Sequence, residues 1–246
     1  MERNRLVINL TDICYSYPGG KKVLNNLNLE LCKGRKLGLL GPNGGGKTTL
    51  LHIIMGLLKP SSGSIEIFGQ PVVNEKDFKK IRQKTGFLFQ DSDDQLFSPT
   101  VLEDVAFGPL NLGKTKEKAV ETAKKTLNFL GLSGFEDRVT YKLSGGEKRL
   151  VSLATVLAME PEILLLDEPT TGLDDKTRAR IMDLLAKLPL SMIMISHEID
   201  FLEKITDSII NLEKGRILTD KDFHVHRHLH AHPHGSHLHQ HIKKPL

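Results

Sequence analysis

Two short stretches carry residues able to handle a phosphate chain. Gly41-Pro42-Asn43-Gly44-Gly45-Gly46-Lys47-Thr48 fits the spacing G-x-x-x-x-G-K-[ST]. Its glycines let backbone N–H groups close around phosphate oxygens, and the helix start that follows favours negative charge. Lys47 can reach β- and γ-phosphates, and the Thr48 hydroxyl can ligate Mg²⁺. The second stretch, Ile163-Leu164-Leu165-Leu166-Asp167-Glu168, is an apolar run that ends in two carboxylates. Asp167 is placed to hold Mg²⁺ through water. Glu168 is placed to act on a water beside the γ-phosphate, as general base or positioner. Alone this run is a weak signal; beside the glycine loop it becomes specific. Ser144-Gly145-Gly146 opens a helical pattern and would form a second anion-binding helix start. A different chemistry ends the chain. Nine of the eleven histidines lie at His224, His226, His228, His230, His232, His234, His237, His239 and His241. Imidazole suits nickel, copper, zinc and cobalt, and alternation puts one row of it on one side of an extended chain.

Strand ends and helix starts must hold these groups. Strands are expected over 6–10 and 27–31, with a turn at Pro18-Gly19-Gly20. Lys36–Gly41 reads as a buried strand leading into the glycine loop, and Lys47–Leu58 as the helix after it. Ile65–Phe68 and Gly86–Phe89 add strands. From about 93 to 160 the pattern is helical, with helices at Thr115–Leu130 and Glu147–Met159. Strands return at Ile163–Asp167 and Met192–Ser196, around a helix at Asp174–Leu188. Ile209–Leu212 and Arg216–Leu218 form a closing hairpin. Strand–helix–strand alternation at both ends predicts an α/β fold with a parallel sheet, the helical middle being an insertion. Residues 220–246 lose apolar periodicity and are expected to form a disordered tail after a domain spanning 1–219.

The length of 246 residues suits one large domain or two small ones. Three of the four net positive charges are Arg227, Lys243 and Lys244, and residues 223–246 hold no acid, so residues 1–222 carry a net +1. That near-neutral body argues against nucleic-acid binding. Cys14 and Cys32 form no CxxC pair, and two thiols in a chain of this size suggest a reducing compartment. No run approaches a membrane span, and MERNRLVINLTD is too charged for a signal peptide. A soluble cytoplasmic protein is expected, with any membrane spans supplied by other chains.

Further pieces sit at the spacings of one family. Gln90 closes FLFQ, Leu143-Ser144-Gly145-Gly146-Glu147 opens a helix, and Pro169-Thr170-Thr171-Gly172-Leu173-Asp174 follows Glu168. His197 follows MIMIS, and Tyr17 precedes the glycine loop. With both phosphate stretches, these resemble the ATP-binding subunit of an ABC transporter over residues 6 to about 219. The resemblance implies a P-loop NTPase fold: a RecA-like parallel-sheet core, an antiparallel β subdomain and the inserted helical subdomain. It implies that ATP is held by Tyr17, stacked on adenine, and by Gly41 to Thr49. Gln90 would sense Mg²⁺ and the transmembrane partner. Ser144, Gly145 and Gly146 would contact the γ-phosphate bound to an opposing chain. Glu168 would activate water, His197 would support the γ-phosphate, and Asp174 would bridge to the opposing subunit. Tyr17 as a turn aromatic and His197 as a structural histidine are the plainer alternatives. The sequence departs from the commonest pattern at Glu147, for glutamine, and at Gly45 and Thr49, for alanine and serine. None of these removes a catalytic group, so an active ATPase is expected.

Gln90-Asp91-Ser92-Asp93-Asp94-Gln95-Leu96-Phe97, running on to Glu103-Asp104-Val105-Ala106-Phe107-Gly108-Pro109, resembles the energy-coupling-factor ATPases, most closely their cobalt and nickel uptake branch. Asp91, Asp93 and Asp94 read better as a solvated acidic turn than as a metal loop. The resemblance implies a place at the cytoplasmic face of the membrane, with a transmembrane coupling subunit and a substrate-capture subunit; it allows a homodimer and leaves a heterodimer open. The histidine tail is then a chelator for incoming Ni²⁺ or Co²⁺, with a purification tag and an inert tail as the other readings. Vitamin transport by the same machine and a non-transport metal-binding regulatory ATPase are the competing functions. A DNA-repair or translation ATPase would carry a coiled-coil insertion or a second ATPase domain, and neither is visible.

Overall fold

The computed structural model describes residues 6–218, with the backbone of Arg227–His230 and His239–Ile242. Strands β1 (Leu6–Ser16) and β2 (Lys22–Cys32) form an antiparallel pair, extended by β4 (Ser62–Ile67) and β5 (Gln70–Pro71) in the order β2-β1-β4-β5. Both long strands outrun the apolar stretches visible in the sequence. The reason for β1 is a bulge between Leu10 and Ile13, where Asp12 takes φ +52°. A bulge shifts the in–out alternation, so the second half of the strand looks out of phase.

The second sheet has six strands in the order β10-β9-β3-β8-β7-β6. They are β3 (Lys36–Leu40), β6 (Thr85–Leu88), β7 (Ile163–Asp167), β8 (Ser191–Ile195), β9 (Ser208–Glu213) and β10 (Arg216–Leu218). Only the β9–β10 hairpin is antiparallel. β7 and β8 are buried on both faces, as central parallel strands are. Their alternation sorts the side chains between two cores. Ile163, Leu165, Ile193 and Ile195 pack with the antiparallel sheet and α1 (Lys47–Ile54). Leu164, Leu166, Met192 and Met194 pack on the other side, with the helices α3 to α7.

Those helices are α3 (Val101–Asn111), α4 (Lys116–Phe129), α5 (Gly145–Leu157), α6 (Asp175–Lys187) and α7 (Ile199–Ile205). The first three pack together as the helical insertion. It begins later than expected: residues 90–99 are irregular, and Thr100 opens α3 with a capping box. α1 ends at Ile54, four residues short of the expected Leu58. Gly56 turns left-handed there at φ +68°, against the Phe78 ring of α2 (Glu75–Arg82). Neither α2 nor α7 was anticipated. In the tail, the β11 (Arg227–His230) and β12 (His239–Ile242) backbones pair antiparallel. The expectation of a disordered segment over 220–246 otherwise lies outside the described residues.

Candidate functional site

The ends of β3, β7 and β8 open onto one cleft of about 440 Å³. Residues 43–49, Tyr17, Gln90, Asp167, Glu168 and His197 all line it. Segments far apart in the chain meet there because strand ends in a parallel sheet share one edge, where ligands of open α/β sheets bind.

The glycine loop is held by close backbone packing. Gly41 sits at φ +143°, and a Cβ there would lie 2.1 Å from the Leu212 carbonyl oxygen. Gly46 takes φ +101° as the N-cap of α1, where a Cβ would meet Leu24 at 2.8 Å. Lys47 opens the helix and is buried. Its Nζ donates to the Gly41 and Pro42 carbonyls at 2.8 and 3.0 Å. Burial pulls its pKa down, while the Glu168 and Asp167 charges pull the other way. The loop therefore presents a cation poised beside helix N–H groups, which suits a polyphosphate.

Asp167 ends β7 with a buried carboxyl that takes a hydrogen bond from Thr48. Burial raises its pKa; Thr48 and the charges of His52, Lys47 and Arg149 oppose that. Carboxylate, hydroxyl and the Gln90 amide form a set of oxygen donors on one cleft wall, and this set fits Mg²⁺. Glu168 stands next, left-handed at φ +47°, a costly conformation for a side chain with a Cβ. Its Oε2 accepts from Thr171 Oγ1 at 3.1 Å. Its Oε1 is buried without a hydrogen-bond partner, 3.3 Å from His197 Nε2. Glu168 lines the cleft, and this carboxylate oxygen keeps its acceptor capacity unused. Tyr17 stands at the rim, its hydroxyl 3.2 Å from Thr49 Oγ1 and its ring edge-on to Tyr15.

Ser144, Gly145, Gly146 and Asp174 do not line this cleft. Ser144 is the exposed N-cap of α5, in a capping box with Glu147. Asp174 caps α6 by accepting from the backbones of Lys176 and Thr177, and it also takes the Thr177 hydroxyl at 2.7 Å. A Cβ on Gly146 would touch Thr177, so the two helix starts stand side by side. Glu147 accepts from the Ser144 N–H at 2.8 Å and pairs with Arg138 at 2.9 Å. The sequence reading missed Thr171 and Arg149. Arg149 is buried on α5 and hydrogen-bonds backbone carbonyls of Phe89, Gln90 and Asp167 to Pro169. A lone arginine ahead of an apolar helical run was its one visible signal.

Among the described residues, no group of three or more His, Cys, Asp or Glu side chains is arranged to hold a metal ion. Asp91, Asp93 and Asp94 are exposed, and Asp93 pairs with Lys148. The tail register sets His228 opposite His241 and His230 opposite His239. The tail's metal reading, like the side chains of all nine histidines, lies outside the described residues.

The ABC transporter family profile matches residues 24–171, more than half of the chain. The chain belongs to the ABC transporter ATP-binding family. It is 50% identical over 235 residues to a protein of Nitratidesulfovibrio vulgaris described as an ABC transporter ATP-binding protein, covering 95% of this chain and 86% of that one. It is 43% identical over 218 residues to the energy-coupling factor transporter ATP-binding protein EcfA of Methanothermobacter thermautotrophicus, covering 87% and 70%. Among solved structures it resembles cbiO1 of Clostridium perfringens, part of the ABC transporter complex cbiONQ. That likeness has a TM-score of 0.79 and 34% identity, over 89% of this chain and 92% of that one. The fold is thus that of an ABC cassette, a P-loop NTPase, and such domains hydrolyse ATP to drive transport. ABC cassettes dimerise and work with membrane subunits.

Proposed function

We propose that this ABC ATPase powers uptake of a divalent transition metal, nickel or cobalt, as an energy-coupling-factor subunit. It stands as a homodimer on the cytoplasmic face of the membrane, against a transmembrane coupling subunit and a substrate-capture subunit. The observation that carries the metal reading is the run of nine histidines in residues 224–241, on a chain similar to cbiO1. Tail imidazoles chelate the incoming ion. Phe97 and Phe107 stack edge-on at 4.8 Å while 67% and 47% exposed, just beyond Gln90. An exposed aromatic pair in the segments that follow Gln90 suits a covering partner and supports docking of the membrane subunit there. Among the described residues no helix is long and apolar enough to cross a membrane, so a peripheral subunit fits.

In this reading Mg²⁺ on Thr48, Gln90 and Asp167 neutralises phosphate charge when bound. Lys47 and the loop amides hold the β- and γ-phosphates. Glu168 orients and deprotonates the attacking water, and His197 supports the γ-phosphate. Ser144, Gly145 and Gly146 do not line their own chain's cleft, so in this reading they and Asp174 serve the opposing subunit. ATP closes the head-to-tail pair and hydrolysis releases it.

The test is uptake of labelled nickel and cobalt in cells carrying the whole transport locus, with wild type against Glu168→Gln. Loss of uptake of either ion in the variant supports the reading. Unchanged uptake of both refutes the metal assignment and returns vitamin transport, with a vitamin screen to follow.

A further inference from the structure

Arg149 is the most deeply committed charge outside the residues assigned above. It is 3% exposed, and all five of its N–H groups point at backbone carbonyls. Nε donates to Pro169 at 2.9 Å. Nη2 donates to Asp167 at 2.9 Å and Glu168 at 2.7 Å. Nη1 donates to Gln90 at 3.1 Å and to Phe89. Burial lowers the guanidinium pKa to about 10, with the charges of Asp167, Asp91 and Glu168 opposing. A guanidinium buried only to pin three segments would need no particular peptides. These peptides are the ones that orient Asp167, Glu168 and Gln90.

We propose that Arg149 is a positioning residue for ATP hydrolysis: it ties α5 to the ends of β6 and β7 and so sets where Glu168 and Gln90 stand in the cleft. Three features carry this. The peptides on either side of Glu168 end in carbonyls held by Arg149, and Glu168 itself sits at a left-handed φ that its surroundings must enforce. The segment after Gln90 is braced on the same helix. Gln95 accepts from the Phe89 N–H and donates to Ser152 and Thr155, and Lys148 pairs with Asp93. Finally, α5 begins at Ser144, so the helix start exposed to an opposing chain and the catalytic strand end of its own chain are joined through one side chain. A displacement of α5 is thereby passed to Glu168 without any intermediate loop. The inference rests on the assignment of Glu168 made above.

The test uses the full-length chain with MgATP, following phosphate release across ATP concentrations, thermal unfolding, and binding of a fluorescent ATP analogue. Lysine offers three donors from one point and cannot span five carbonyls. Arg149→Lys is therefore expected to lower kcat at least tenfold while KM and analogue affinity stay within threefold. Arg149→Gln is expected to fall further, because it also loses the charge. In a Glu168→Gln background, adding Arg149→Lys is expected to change kcat less than twofold, since residues acting as a unit are not additive. A kcat within twofold of wild type for Arg149→Lys overturns the proposal. So does a parallel loss of analogue binding, or failure of both variants to fold, each of which assigns Arg149 to the scaffold alone. If Glu168→Gln by itself keeps wild-type kcat, the assignment of Glu168 fails instead. The kcat and KM of the single Arg149 variants then still decide whether Arg149 positions the cleft.

Discussion

Glu147 occupies the position where glutamine is commoner in the family, and the structure allows the consequence of restoring glutamine to be worked out. One carboxylate oxygen accepts from the Ser144 N–H at 2.8 Å and the other pairs with Arg138 at 2.9 Å. Glutamine keeps one acceptor, so the capping box survives. What disappears is the charge. The Arg138 pair is partly exposed and contributes about 0.2–1 kcal/mol. An acid in the first turn of a helix contributes about 0.3–1 kcal/mol more. Glu147→Gln should therefore cost about 1 kcal/mol, or a Tm drop of about 2–4 °C for a chain of this size. The Ser144 hydrogen bonds, and then Arg138, hold the Glu147 pKa below its usual value. With a depressed folded-state pKa, the contribution is complete above the unfolded-state value of about 4.3 and is lost as pH falls through the folded one. The gap between wild type and variant should be full at pH 7 and shrink at an acid pH below about 4.3, closing once the folded carboxyl is protonated. Activity should move the other way. The same carboxylate opposes an anion at the α5 start, so the glutamine variant should form the ATP-driven dimer at lower ATP concentration. Scanning calorimetry at both pH values and sedimentation with ATP in a Glu168→Gln background measure the two effects. A stability gap that does not depend on pH would refute the reasoning, as would a variant more stable than wild type at pH 7.

Other substitutions probe the cleft and the tail. Gly41→Ala places a Cβ 2.1 Å from the Leu212 carbonyl oxygen at φ +143°, so it should abolish binding of a fluorescent ATP analogue and lower Tm. Glu168→Gln in the purified chain should reduce kcat by about 10²–10⁴ while analogue binding is kept, because it removes the base but not the fit. Truncation after Phe223 should remove most binding of Ni²⁺ and Co²⁺ by titration calorimetry. ATP hydrolysis should stay within twofold, since every residue lining the described cleft precedes the tail.

The glycine loop and the Asp167-Glu168 pair were legible because each places its chemistry in consecutive residues, with the supporting strand or helix written beside it. The α/β alternation was legible for the same reason: Leu37 to Leu40 and Ile163 to Leu166 are apolar throughout, as strands buried on both faces must be. Features spread over several segments were not. α2 contributes only Phe78 and Ile81 to the core, too few for a helical pattern to stand out. The bulge at Asp12 hid half of β1. Arg149 looked like one more lysine-or-arginine position after Glu147. Its role depends on five carbonyls drawn from two strand ends, and a carbonyl has no letter in the sequence.

The same distinction separates the two groups of residues assigned to ATP in the proposed function. Lys47, Asp167, Glu168 and His197 converge because β3, β7 and β8 are neighbours, so the fold alone brings them together. Ser144 and Asp174 carry equally specific chemistry, yet the fold turns them away from that cleft and spends their side chains on capping α5 and α6. A capping hydroxyl bonded at 3.3 Å to the Glu147 N–H is weakly held and can be redirected to a phosphate at small cost. The buried carboxylate at Glu168 has no such freedom, pinned by Thr171 on one side and by the Arg149-bound peptides on the other. The chain thus holds the Glu168 carboxylate in place and leaves the α5 start, proposed above to contact phosphate, exposed and adaptable. That division suits a site which forms only when a second chain arrives.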